Sequence, residues 1–118
     1  MNGGLDLEGE RSMLRVYLLD GDRFGRRPLA DYLLEEARKA GLAGATVLRG
    51  TSGFGRHGFE TILDVLEFRP QFQPVVIEMV DRRDRLEAFL RSSWTEDLPD
   101  RMVTLERAQV ELYQARTS

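Results

Sequence analysis

The chain has no cysteine, a single histidine and a single lysine. Without thiols there can be no disulfide, no thiolate metal site and no thiol chemistry, and a reducing compartment is compatible with the sequence. His57 stands alone, whereas a stable metal site takes three or four ligands, so metal binding is not expected. Only Lys39 is lysine; the remaining cations are arginine, which suits bidentate contacts to phosphate or carboxylate. No apolar run approaches the roughly 18 residues of a membrane span, and no secretory hydrophobic stretch opens the chain. The expected protein is cytoplasmic, with no membrane insertion. A net charge of -3 at pH 7 argues against a nucleic-acid partner.

What is present fits one domain. The 118 residues are 42% hydrophobic and 31% charged, enough for a two-layer core but not for separate catalytic and regulatory units. Residues 1–12 hold glycine and acid without apolar periodicity and read as a flexible leader. Residues 13–114 form the domain, and 115–118 a tail. Met13 to Leu19 alternates, with Leu14, Val16 and Leu18 on one face and Arg15, Tyr17 and Leu19 on the other, so it reads as a strand. Pro28 opens a helix whose stripe is Leu29, Leu33, Ala37 and Ala40, with Leu34 beside it and Glu35 and Lys39 on the solvent side. Gly41 stops that helix, and Ala45 to Arg49 is the second strand. Val75 to Val80 is the third. Asp81 then serves as N-cap of a second helix that buries Leu86, Phe89, Leu90 and Trp94. Met102 to Tyr113 is the last strand. This order is that of an α+β, ferredoxin-like βαββαβ domain, with both helices on one face of an antiparallel sheet. Its other face exposes apolar area that a second subunit would cover.

The most informative segment is Gly41 to Arg56, where a helix end, a strand and a glycine-rich turn follow one another. Gly50, Gly53 and Gly55 free the backbone, whose successive N–H groups can form an anion-binding nest beside Arg56. The turn lacks the Gly-Lys-Ser/Thr ending of a nucleoside-triphosphate P-loop. From Gly50 to Gln73 the excursion is too long for an ordinary hairpin connection. Within it Glu60 to Phe68 is read as an extension of the flanking strands, with Glu60, Asp64 and Glu67 keeping an apolar loop soluble. Two arginine clusters, Arg23, Arg26 and Arg27 before the first helix and Arg82, Arg83 and Arg85 at the start of the second, read as solvated charge. Arg82 and Arg83 nevertheless sit at the positive end of a helix dipole, a hint of an anion nearby. Arg101 is placed to reach a phosphate, or to pair with Asp97 or Asp100.

Gly53-Phe54-Gly55-Arg56, preceded by Gly44-Ala45-Thr46-Val47, resembles the start of the T-loop in the PII signal-transduction family. Arg27-Pro28-Leu29, Arg49-Gly50 and Val80-Asp81 make the chain similar to the branch of PII-like proteins catalogued as a domain of unknown function. The resemblance spans Leu14 to about Leu112. It implies a non-enzymatic homotrimer that senses a small-molecule effector, an adenine nucleotide, in clefts between subunits. It also implies that residues 50–73 are a T-loop signalling to a protein target such as a transporter or metabolic enzyme. The nucleotide would be a reversible ligand, with no tightly bound cofactor.

By the same resemblance Thr46, Arg49, Gly50, Gly53, Gly55, Arg56, His57 and Arg101 are ligand-binding, and Phe54, Phe59, Ile62, Leu63 and Phe68 face the partner. Two departures stand out. Thr95 to Asp100 is acidic where PII has a glycine-rich loop around the ATP phosphates, and Leu112 and Gln114 replace phosphate-side arginines. No tyrosine lies between Gly50 and Gln73, which rules out tyrosyl nucleotidylation there. The rival readings are a ligand-independent interaction module that docks its partner through the loop, and a small hydrolase or metal-handling protein for which no nucleophile is evident.

Overall fold

The computed structural model describes residues 8–50 and 73–114. Eight elements follow in order: β1 (Gly9–Leu19), β2 (Arg23–Phe24), β3 (Arg27–Pro28), α1 (Leu29–Lys39), β4 (Gly44–Arg49), β5 (Pro74–Asp81), α2 (Arg83–Ser93) and β6 (Val103–Val110). The four long strands form one antiparallel sheet in the order β4-β5-β1-β6, which is the ferredoxin-like arrangement. Opposite Leu14 stand Met79 on β5 and Leu105 on β6, so residues of one parity share a face across three strands.

That face carries the core. Leu14, Val16 and Leu18 of β1 and Val75, Ile77 and Met79 of β5 alternate with half-exposed neighbours, and Leu29, Leu33 and Ala37 of α1 with Leu86 and Phe89 of α2 close over them. The predicted stripes hold, with two shifts. Ala40 is the C-cap of α1 and is exposed, and Leu42 packs against the core from the following turn. On the solvent side Glu35 pairs with Arg38 and Lys39 with Glu36.

Strand bounds also differ from the pattern in the sequence. β1 begins at Gly9 rather than Met13, because pairing with β6 runs as far as Gly9 opposite Val110. Residues 9–12 of the expected leader are therefore sheet, whereas the last strand is shorter than Met102 to Tyr113. Between β1 and α1 a small hairpin, β2 and β3, turns through Gly25 and Arg26. Gly25 has φ +62°, the left-handed value that a two-residue hairpin loop requires. Phe24 stacks on Tyr32 at a centroid distance of 4.1 Å, which fastens the hairpin to α1.

A Schellman motif ends α1. The Gly41 N–H donates to Arg38 O at 3.0 Å and the Leu42 N–H to Ala37 O at 3.2 Å, with Gly41 at φ +74°. A Cβ there would meet only Arg85 Nη2 at 3.5 Å, an ordinary contact, so the backbone conformation alone penalises a side chain. Gly41→Ala is expected to lower unfolding stability by about 1 kcal/mol, measured as a shift of the urea midpoint at constant slope.

Candidate functional site

All four long strands bring an end to the place where the chain leaves and re-enters around residues 51–72. β1 ends there at Leu19 and β4 at Arg49, while β5 starts at Pro74 and β6 at Val103. Two backbone bonds hold this end together: Gly50 N–H to Pro74 O and Asp20 N–H to Gln73 O, each 2.8 Å. A Cβ on Gly50 would stand 2.8 Å from Cγ of Pro74, so glycine here serves the close approach of two strand ends. The excursion is thus pinned at its base by adjacent strands.

Charge at this end is organised in pairs. Arg49, at the end of β4, forms a salt bridge with Asp20, just past β1; their side chains are 57% and 33% exposed, so the pair is wet and exchangeable. Arg101 is different. Its Nε donates to Asp22 Oδ2 at 2.8 Å, its Nη2 to Asp22 Oδ1 at 2.6 Å, and its Nη1 to the Asp100 carbonyl at 2.8 Å. At 13% and 9% side-chain exposure, this bidentate pair is largely withdrawn from water.

Asp22 does more than hold Arg101. Its Oδ2 also accepts the Leu19 N–H at 2.9 Å, and its carbonyl accepts the first amide of α1, Leu29 N–H, at 2.8 Å. One residue thereby joins the end of β1, the start of α1 and the segment before β6. The sequence pairing of Arg101 with the side chain of Asp97 or Asp100 is therefore corrected: its carboxylate partner is Asp22, 79 positions away. Asp20 and Asp22 carry no site signal in the sequence. An Asp-Gly-Asp turn signals only a strand end, and nothing local marks either aspartate as an arginine partner.

Thr46 lies midway along β4, three residues and roughly 10 Å from Arg49, on the sheet face without helices. Its cross-strand partner is Glu78, and beyond Glu78 stands Arg15. Arg15 donates from Nε to Glu78 Oε2 at 2.8 Å and also pairs with Glu106. Bonding first to Glu78 and then to Glu106 raises the Arg15 guanidinium above its ordinary pKa, which keeps it charged. Around this triad Met13, Tyr17, Val76 and Val80 are half-buried, and Leu48 is exposed. Of the sequence-derived site, Arg49, Gly50 and Arg101 gather at one end of the sheet, with Thr46 further down. Gly53, Gly55, Arg56 and His57, and the apolar set Phe54, Phe59, Ile62, Leu63 and Phe68, lie outside the described residues.

Two further features bear on what this end can hold. The acidic segment from Thr95 to Asp100 is folded against the domain through Leu98, which is buried and whose N–H donates to Thr95 O at 3.0 Å. Among the described residues no group of three or more histidines or acids is placed to hold a metal ion, and no helix is long and apolar enough to cross a membrane.

A four-stranded antiparallel sheet with two helices on one face and a long excursion between its second and third long strands defines a PII-like fold. Within that class the chain belongs to the family DUF190, described as an uncharacterized ACR, whose model matches residues 11–110. A UPF0166 protein of Aquifex aeolicus is 30% identical over 101 residues, covering 86% of this chain and 93% of that protein. A UPF0166 protein of Methanocaldococcus jannaschii is 30% identical over 78 residues, 66% of this chain and 70% of that one. Among solved structures, CPII from Thiomonas intermedia K12, bound to ADP, AMP and acetate, superposes with a TM-score of 0.59 at 16% identity, covering 88% of this chain and 91% of CPII. A putative PII-like signaling protein from Thermus thermophilus gives 0.53 at 16% identity, covering 85% and 86%. At these identities the structural likeness speaks for the fold.

Proposed function

We propose that this chain is a non-enzymatic, cytoplasmic, PII-like regulatory protein. It works as a homotrimer that binds an adenine nucleotide reversibly between subunits and passes the signal to a protein target through residues 50–73. The observation that carries this reading is the pinned base of the excursion. Its two ends are held by the Gly50 and Asp20 backbone bonds, directly beside an exchangeable Arg49–Asp20 pair. A ligand phosphate that takes Arg49 from Asp20 changes the contacts at the foot of the loop, which is how ordering of a segment can report occupancy. The half-buried, helix-free face of the sheet supports assembly, since Met13, Tyr17, Val76 and Val80 gain by being covered. CPII, a protein of the same fold, holds ADP and AMP.

Within this reading Thr46, Gly50, Gly53, Gly55, Arg56 and His57 line the nucleotide and Arg49 meets its phosphates. Arg101 acts as a positioning residue, holding Asp22 and the strand ends. The test is thermal stability against ATP, ADP, AMP and cyclic nucleotides, with and without magnesium. A ligand at a hundredfold excess over its Kd stabilises the native state by about 2.7 kcal/mol, roughly a 10 °C rise in Tm for a domain of this size. Arg56→Ala is expected to remove most of that rise. Folded wild-type protein that responds to no nucleotide would sink the ligand part of the proposal.

A second reading draws on the same charges. Arg49 and Arg101 both already carry a carboxylate partner, as suits an interaction module whose loop docks a target through Phe54, Phe59, Ile62, Leu63 and Phe68 without a ligand. It predicts that target binding survives Arg56→Ala and is lost when the loop is shortened.

A further inference from the structure

At the opposite end of the sheet a cleft of 260 Å³ is lined by Glu10, Arg11, Ser12, Arg82, Arg83 and Arg107. Ser12 lies seven residues from Leu19 along β1, roughly 23 Å from the loop base. Its neighbours across the sheet are Arg107 on β6 and Asp81 on β5, all on the helix-covered face. One row further along, that face is purely apolar: Leu105, Leu14 and Met79. A serine and an arginine thus occupy positions where the alternation calls for core residues.

Three features of the cleft converge on an anion. Ser12 is only 6% exposed, yet its hydroxyl has no hydrogen-bond partner among the described residues; no polar atom there is both fully sealed from solvent and unpartnered, so this hydroxyl opens into the cleft it lines. Arg107 has no acidic partner among the described residues. The start of α2 has no side-chain cap: the Arg85 and Leu86 N–H groups reach Arg82 O, while those of Arg83 and Asp84, the first in the helix, have no intrahelical acceptor.

Among the described residues the cleft lining carries more positive than negative charge. Among the described residues Arg82 and Arg83 make only long, exposed pairs, with Asp84 at 3.5 Å and Glu87 at 3.4 Å, which a better acceptor can displace. Arg11 donates to the Glu10 carbonyl at 2.7 Å. Asp81 does not compete, because its two oxygens are engaged by the Arg82 N–H, the Ala43 N–H and Arg85. Glu10 is the one acid among the described lining residues.

We infer that this cleft is a second ligand site, for a phosphate group. Ser12 and the first amides of α2 donate to its oxygens, and Arg107, Arg82 and Arg83 neutralise it. The volume falls below the usual range for a drug-sized ligand, so the site takes inorganic phosphate or the phosphoryl end of a small ester. It is independent of the proposed nucleotide site.

The experiment is a titration of the full chain with sodium phosphate, followed by 1H–15N correlation spectra against sodium chloride of equal ionic strength. Saturable shifts are expected at the amides of Ser12, Arg83 and Asp84. Arg107→Gln, on an exposed edge strand, should weaken binding about tenfold or more, in line with the loss of a charged hydrogen bond. Ser12→Ala should weaken it less, and Arg26→Gln, in the distant hairpin, should leave it unchanged. A parallel titration with glycerol 3-phosphate assigns the source: tighter binding than inorganic phosphate means an ester, equal or weaker binding the free ion, and either order supports the site. Shifts that grow linearly with salt, or a curve unaltered by Arg107→Gln, would overturn it.

Discussion

Asp81→Ala is expected to lose about 3 kcal/mol of unfolding stability. Asp81 is 1% exposed and sits at the end of β5. Its Oδ2 accepts the Ala43 N–H at 2.8 Å, its Oδ1 accepts the Arg82 N–H at 2.6 Å, and Arg85 Nη1 lies 3.3 Å from Oδ2. Arg85 in turn donates from Nη2 to the Ala40 and Gly41 carbonyls, at 3.0 and 2.9 Å. The carboxylate therefore ties the connection after α1 to the start of α2 through one buried charge. Truncation leaves the Ala43 and Arg82 amides without their acceptor. Arg85, about a third exposed, can turn to water, so the amides and not the arginine carry most of the loss. Arg85→Met should accordingly cost less than Asp81→Ala, and Asp81→Asn should fall between wild type and alanine, since its amide oxygen serves one donor while its NH2 opposes the other. Urea unfolding of the three variants checks the order. A loss below about 1 kcal/mol for Asp81→Ala would mean that water replaces the carboxylate at no cost.

The same residue marks where sequence pattern and structure part. Asp81 before Arg82, Arg83 and Asp84 reads as an N-cap, because an acid in front of a helical stripe is the usual signal. Pairing decided otherwise: β5 continues through Asp81 opposite Ser12, which turns its side chain into the buried row, and the cap position passes to Arg82, whose side chain makes no capping bond. Alternation in Leu14 to Leu18 and in Val75 to Met79 was legible because each strand has one dry face. The first residues of β1 were not, since the row there is Ser12 with Arg107 and carries no apolar signal. Element order sufficed for the fold, as each helix has a stripe that can be covered only by one sheet. At the candidate site the glycine at position 50 and the arginines at 49 and 101 could be picked out by type. Their partners could not, because Asp20 and Asp22 are brought to them by sheet topology and have no sequence spacing to betray them.

Asp22→Ala is expected to cost about 3 kcal/mol and to disturb the loop base as well. Three segments depend on its side chain and carbonyl: the Leu19 amide at the end of β1, Leu29 at the start of α1, and Arg101 before β6. The carbonyl survives truncation, so α1 keeps its first bond. What is lost is the acceptor for Leu19 and both oxygens facing Arg101, leaving a guanidinium at 13% exposure with only the Asp100 carbonyl. Removing both charges separates the two costs. If the penalty is chiefly the stranded cation, Asp22→Ala with Arg101→Met should be more stable than Asp22→Ala alone, by roughly 1 kcal/mol or more. If the double variant is no better, the Leu19 amide dominates and Arg101 is dispensable for folding. The functional consequence follows from position. Asp20 and Asp22 flank one glycine: the first holds Arg49 and the Gln73 carbonyl, the second holds Arg101. Loosening the second frees the first, so nucleotide binding at the proposed site should weaken in Asp22→Ala even though Asp22 touches no ligand, and the Arg101→Met partner should restore part of it. Recovery of stability without recovery of binding would assign Arg101 a direct contact with the ligand instead of a positioning role.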